Sequence, residues 1–174
     1  MYTSPPVTRE SEQTPARLEL PLDSVAATER AGEALGRVVT AGDVIGLVGD
    51  LGAGKTLLVK ALARGLEVPA AVRVLSPTFT LINEYRGGRL HLVHADLYRI
   101  DDPREVDAIG LDDAMRGDVV AAVEWSDRAD ALPRDHLVVR LDVIGDDARQ
   151  LCAQAQGPRG RALLQRWRDA LAPA

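Results

Sequence analysis

The chain is 174 residues long, 46% hydrophobic and 27% charged, which fits a globular protein with a buried core and excludes a collagen-like or wholly disordered one. A formal net charge of −5 and a sequence pI of about 5.2 argue against a domain whose main task is gripping a nucleic-acid backbone. The single cysteine, Cys152, leaves no internal disulfide and fits a reducing, cytoplasmic setting, and no apolar run reaches the roughly 18 residues of a membrane span.

The opening Met1–Pro6 has neither the basic n-region nor the apolar h-region of a signal peptide. Residues 1–15 hold three of the ten prolines and no apolar periodicity, which predicts a disordered tail, with 16–174 as a single domain. Arg17–Leu20 predicts a short strand. Asp23 or Ser24 caps a predicted helix running to about Val39, with Ala27, Ala31, Ala34, Leu35 and Val38 on its apolar side. Asp43–Val48 is nearly continuous and apolar, the pattern of a strand buried on both faces. A glycine-rich turn follows, then a predicted helix from about Gly54 to Arg64.

Ser76–Tyr85 and Leu90–Ala95 are β-type runs flanking Arg86–Gly87–Gly88–Arg89, which predicts a hairpin. Pro103 opens a predicted short helix holding Val106 and Ile109, and Leu111–Arg116 adds a further turn. Val119–Val123 and Leu137–Ile144 are two more strand runs. Arg149–Ala155 alternates weakly and reads as an edge strand. Pro158–Leu171 closes the chain as a helix with Leu163, Leu164 and Trp167 on one face. The expected fold class is α/β: a three-layer, P-loop NTPase-like domain with a mixed, mainly parallel sheet and an antiparallel hairpin.

Gly49–Asp50–Leu51–Gly52–Ala53–Gly54–Lys55–Thr56 matches G-x-x-x-x-G-K-[ST] at every fixed position, between a predicted strand and a predicted helix. Glycines let successive backbone N–H groups face phosphate oxygens, and the helix adds its positive end. The lysine of such a loop reaches the β- and γ-phosphates, and its Thr hydroxyl ligates Mg²⁺. Of 21 basic residues only Lys55 and Lys60 are lysines. The arginine bias itself carries no functional message, but a compact point charge is what position 55 needs.

Two acids end hydrophobic strand runs, Asp96 after Leu90–Ala95 and Glu124 after Val119–Val123. Strand ends are where an open α/β sheet places its ligands. One acid would hold Mg²⁺ and the other would orient the attacking water; spacing alone does not divide the roles. No D-x-x-G follows Asp96, and no N-K-x-D guanine reader exists, so ATP is expected over GTP. Ser76, Thr78 and Thr80 alternate with Pro77 and Phe79, a pattern that fits a loop entering a strand or a switch-like segment whose hydroxyls sense phosphate or Mg²⁺. His91 and His94, three apart on a strand, point to opposite faces and share no metal. His94 lies near Asp96, with packing weighed as its stronger role.

The ordered set Asp50–Thr56, Ser76–Pro77–Thr78–Phe79, His94–Ala95–Asp96–Leu97–Tyr98–Arg99 and Glu124–Trp125 resembles the TsaE (formerly YjeE) family, P-loop ATPases of bacterial tRNA threonylcarbamoyladenosine biosynthesis. The resemblance covers about Asp23 to Ala155. It implies an ATP- and Mg²⁺-binding hydrolase, weak alone, that acts with a TsaB–TsaD complex to modify position 37 of tRNA, with indirect or weak tRNA contact and no membrane. It also implies that Asp50, Leu51, Gly52, Ala53, Gly54, Lys55, Thr56 and Leu57 bind nucleotide, that Thr56, Glu124 and Asp96 serve Mg²⁺, and that Asp96 also assists hydrolysis. Trp125, Thr28 and Arg149 become further nucleotide contacts, and Ser76–Phe79 a switch-like loop. Leu57 departs from the family's usual second Thr, which removes a hydroxyl from the α-phosphate. Two rivals remain: a small-molecule (nucleoside-type) P-loop kinase, and a nucleotide-dependent interaction module without meaningful hydrolysis.

Overall fold

A computed structural model describes residues 16–102 and 104–172. The tail expected over 1–15, and Pro103, lie outside the described residues. The strands are β1 (Arg17–Leu22), β2 (Val44–Val48), β3 (Ile82–Tyr85), β4 (His91–Asp96), β5 (Val119–Glu124), β6 (His136–Val143) and β7 (Arg149–Gln156). The helices are α1 (Val25–Val38), α2 (Lys55–Gly65), α3 (Arg104–Ala108), α4 (Leu111–Ala114) and α5 (Gly157–Leu171).

The strands form one sheet in the order β1-β7-β6-β2-β5-β4-β3. The inner strands β6, β2, β5 and β4 are parallel, while β3 and the β7–β1 pair flank them antiparallel. All residues of β2 and β5 are buried, as their continuous apolar runs require when helices cover both faces. α1, α2 and α5 share one core with Ile45, Leu47, Val139 and Leu151. On the other face Leu97, Val106 and Leu111 pack with Val123. The result is the expected α/β architecture in three layers.

Two helices cross at unusually short range. A Cβ on Gly36 of α1 would stand 2.1 Å from the Leu62 carbonyl oxygen, and one on Gly65 of α2 would stand 2.2 Å from that of Glu33. Only glycine fits at either position. The crossing seats α2, and with it the phosphate loop, against α1. Ser24 caps α1 by accepting from the Ala27 N–H at 3.2 Å. Trp167 of α5 is fully buried and donates its indole N–H to the Ala31 carbonyl at 3.0 Å. Arg166 reaches the buried Asp43 at 2.7 Å, and Arg159 bonds the Ala41 carbonyl at 2.8 Å. These two arginines fasten α5 to the sheet.

Three expectations change. β7 is not an edge strand, because β1 pairs along it from Arg17 to Leu22. Along it Leu151, Ala153 and Ala155 are buried while Gln150, Cys152 and Gln154 stay partly exposed, so the strand alternates although it lies inside the sheet. Ser76–Thr80 is not strand: Leu81 N–H bonds the Pro77 carbonyl at 2.6 Å in a turn, and β3 starts at Ile82. Ile109 lies just beyond α3, where Gly110 takes a left-handed φ of 73°.

Candidate functional site

The C-terminal ends of β2, β5 and β4 lie side by side. Leu47 pairs with Glu124, and Asp96 pairs with Glu124, so both acids sit next to the loop that leaves β2. A hollow of about 250 Å³ opens there, lined on the loop side by Gly52, Gly54, Lys55 and Thr56 and on the strand side by Asp96 and Glu124. A larger hollow, about 480 Å³, lies by Lys60, Arg64 and Val72. It has no acid and no phosphate-loop residue in its wall, so chemistry favours the smaller one.

Lys55 opens α2 and is only 4% exposed. Its ammonium donates to the Gly49 carbonyl at 2.6 Å and the Asp50 carbonyl at 2.9 Å. It lies 3.9 Å from the centre of the Trp125 ring, a cation–π distance. Among the described residues it makes no ion pair with a carboxylate. A buried cation normally has an anionic partner, so this one is built for an incoming anion. Burial lowers its affinity for a proton below that of an ordinary lysine, while Glu124, Asp96, Asp127 and Asp50 pull the other way. Gly54 has a φ of 106°, and a Cβ there or on Gly52 would meet nothing within 4 Å. The loop therefore leaves an open cradle over its backbone, as a phosphate chain requires.

Thr56 donates its hydroxyl to Glu124, at 2.8 Å to Oε1 and 3.1 Å to Oε2. Glu124 is 3% exposed, and His94 Nε2 stands 2.8 Å from its Oε1. Asp96 is 2% exposed. Its Oδ2 accepts from Ser76 at 3.0 Å and Thr78 at 2.7 Å, and its Oδ1 accepts the Tyr98 backbone N–H at 2.9 Å. The hydroxyl of Thr56 and the carboxylates of Glu124 and Asp96 form a hard oxygen donor set, the kind Mg²⁺ takes. Among the described residues no group of three or more His, Cys, Asp or Glu could hold a metal. A cation here would thus need phosphate oxygens and water to complete its shell, which fits magnesium carried in with a nucleotide.

A family model described as "Threonylcarbamoyl adenosine biosynthesis protein TsaE" matches residues 22–151. The chain belongs to the TsaE family. The TsaE-named "tRNA threonylcarbamoyladenosine biosynthesis protein" of a Nostoc species is 44% identical over 127 residues, covering 71% of this chain and 76% of that protein. The Bacillus subtilis protein of the same name is 42% identical over 125 residues, covering 71% and 77%. The crystal structure of Bacillus subtilis YdiB superposes with a TM-score of 0.77 at 31% identity, over 91% of this chain and 98% of that one.

In this TsaE-family chain the hollow gathers Leu51, Gly52, Gly54, Lys55, Thr56 and Leu57 from the loop and α2. It also gathers Ser76, Thr78, Asp96, Glu124 and Trp125. Asp50 and Ala53 belong to the loop but not to the wall. Leu57 supplies an apolar side chain there in place of the hydroxyl. Three expected residues stand apart. The Thr80 hydroxyl bonds Asn83 at 2.9 Å, away from Asp96. Thr28 is buried in α1, its hydroxyl 3.5 Å from the Ser24 carbonyl. Arg149 grips the loop from behind, donating to Ala53 O at 2.9 Å and Gly52 O at 3.4 Å, and it also holds the β6–β7 turn at Gly145 O, 3.0 Å.

Sequence reasoning passed over two side chains. Tyr98 lines the hollow with its ring 5.1 Å from that of Trp125, and Arg128 lies over both rings, at 5.1 Å and 5.5 Å. Trp125 itself has a φ of 57°, a left-handed backbone that costs a bulky residue about 1–2 kcal/mol. Strain of that kind concentrates at functional sites. The position of Tyr98 two residues after Asp96 was its only signal in the sequence.

Proposed function

We propose that the chain binds ATP with Mg²⁺ at this hollow, hydrolyses it slowly by itself, and couples hydrolysis to a TsaB–TsaD complex during formation of threonylcarbamoyladenosine at position 37 of tRNA. Membership of the TsaE family puts the chain in threonylcarbamoyladenosine biosynthesis. The observation that carries the ATPase reading is the pair of buried carboxylates in register on β4 and β5, one on the phosphate-loop threonine and the other on the 76–78 hydroxyls.

Each residue then has a task. Lys55 neutralises phosphate charge and holds it in line. Thr56 and Glu124 would hold the metal, directly or through water, and Mg²⁺ would supply charge neutralisation for the phosphates. Asp96 positions an attacking water and accepts its proton. Ser76 and Thr78, which donate to Asp96, are free to exchange that partner for phosphate or metal. Trp125 and Tyr98 wall the hollow against water. Arg149, bonded to the Gly52 and Ala53 carbonyls, would steady the cradle from outside the hollow.

Among the described residues no helix is long and apolar enough to cross a membrane. Reconstitution of tRNA modification from TsaB and TsaD, with and without this chain, tests the reading. Sustained, ATP-dependent modification only when the chain is present is expected. Equal modification without it would remove the proposed role. Labelled ATP distinguishes the kinase rival: free labelled phosphate supports hydrolysis, and label on a nucleoside overturns it.

A further inference from the structure

His94 is fully buried, yet it is not packed as a mere core residue. It sits on β4 two residues before Asp96, so both side chains leave the same face of the strand. Its Nε2 is 2.8 Å from Glu124 Oε1, and the side chains of the pair are 0% and 4% exposed. Its Nδ1 is buried with no hydrogen-bond partner among the described residues. Carboxylate oxygens accept, so the Nε2–H of His94 donates this bond to Glu124.

Glu124 has two side-chain donors, Thr56 and His94. Thr56 is the hydroxyl that a phosphate loop gives to its cation. Among the described residues His94 has no other hydrogen-bond partner. We propose that His94 is a positioning residue: its Nε2–H fixes Oε1 so that the Glu124 carboxylate keeps its orientation toward the metal when Thr56 turns away. Outer partners of metal-holding carboxylates act this way, and losing one typically costs 10–100-fold in metal affinity or activity. The inference rests on the ATP·Mg²⁺ reading above and adds to it a residue that never touches the ligand.

Calorimetric titration of ATP into wild type, His94→Leu and His94→Gln, in Mg²⁺ and in EDTA, tests it. Leu keeps the site filled and apolar, while the Gln amide can donate from nearly the same place. For His94→Leu the tightening of ATP binding by Mg²⁺ should shrink about tenfold or more. ATP affinity in EDTA should stay within about twofold, and His94→Gln should recover most of the Mg²⁺ effect. Wild-type Mg²⁺ dependence in His94→Leu, an equal loss in EDTA, or a Gln variant no better than Leu would each overturn the proposal. If His94→Leu fails to fold, the Gln variant decides alone: a retained Mg²⁺ effect supports the donor role and a lost one overturns it. A wild-type protein that binds ATP without any help from Mg²⁺ would instead sink the reading beneath it.

Discussion

Lys55, Thr56 and Glu124 stand on α2 and β5, inside a frame of paired strands and tightly crossed helices. Ser76 and Thr78, on the opposite wall, stand on a segment without regular structure whose Phe79 is 85% exposed. Both walls direct polar groups into one hollow, but the first is held by its surroundings and the second mainly by hydrogen bonds to Asp96 and a single turn from Pro77 to Leu81. In the proposed function the framed wall would fix where phosphates and metal go, and the loop wall would respond to them. Local stability follows buried contacts, so damage to the framed wall should cost folding or binding, and damage to the loop wall should cost turnover.

The largest effect should come from breaking the frame. Gly65→Val forces side-chain atoms into the Glu33 carbonyl and should cost about 3 kcal/mol, measured by urea denaturation. Unchanged stability would mean the α1–α2 crossing is looser than described. Next, Lys55→Ala removes the charge the phosphates meet and should weaken ATP about 100-fold by calorimetry while the fold persists; undiminished affinity would defeat the phosphate-loop assignment. On the other wall, Ser76→Ala combined with Thr78→Ala should lower phosphate release about tenfold and cost about 1–2 kcal/mol of stability, because Asp96 Oδ2 loses both hydroxyl donors. Loss of folding there would erase the contrast between the walls.

The smallest effect concerns pH. Burial lets folded Lys55 release its proton at lower pH than the unfolded chain, where lysine titrates near 10.5. Between those values the unfolded state binds more protons, so this side chain's contribution to stability improves as pH rises. Wild type should gain on Lys55→Met in urea melts as pH climbs toward 10.5. A gap that moves the other way would contradict the burial argument.

The sequence made the framed wall readable and marked the loop's hydroxyls as switch-like, but it left the partners of those hydroxyls obscure, for physical reasons. β2 and β5 are continuous apolar runs because helices cover both faces, and glycine–lysine spacing marks the phosphate loop wherever it occurs. β7 was misread because its cover, β1, comes from the far end of the chain. The Ser76–Thr80 run is rich in β-formers, but the Ser76 and Thr78 hydroxyls are committed to Asp96, a contact that no local pattern encodes. His94 was weighed as packing because its partner lies on the neighbouring strand, 30 residues on. Arg149 acts on backbone carbonyls of the loop, and carbonyls leave no trace in sequence.

The central claim is that the buried Glu124, held by Thr56 and His94, serves ATP hydrolysis. Phosphate release by wild type and Glu124→Ala, each with TsaB–TsaD and Mg²⁺, measures it most directly. Release should fall about 100-fold or more in the variant, with its urea midpoint showing that it is folded. Equal release by the two proteins would contradict the claim.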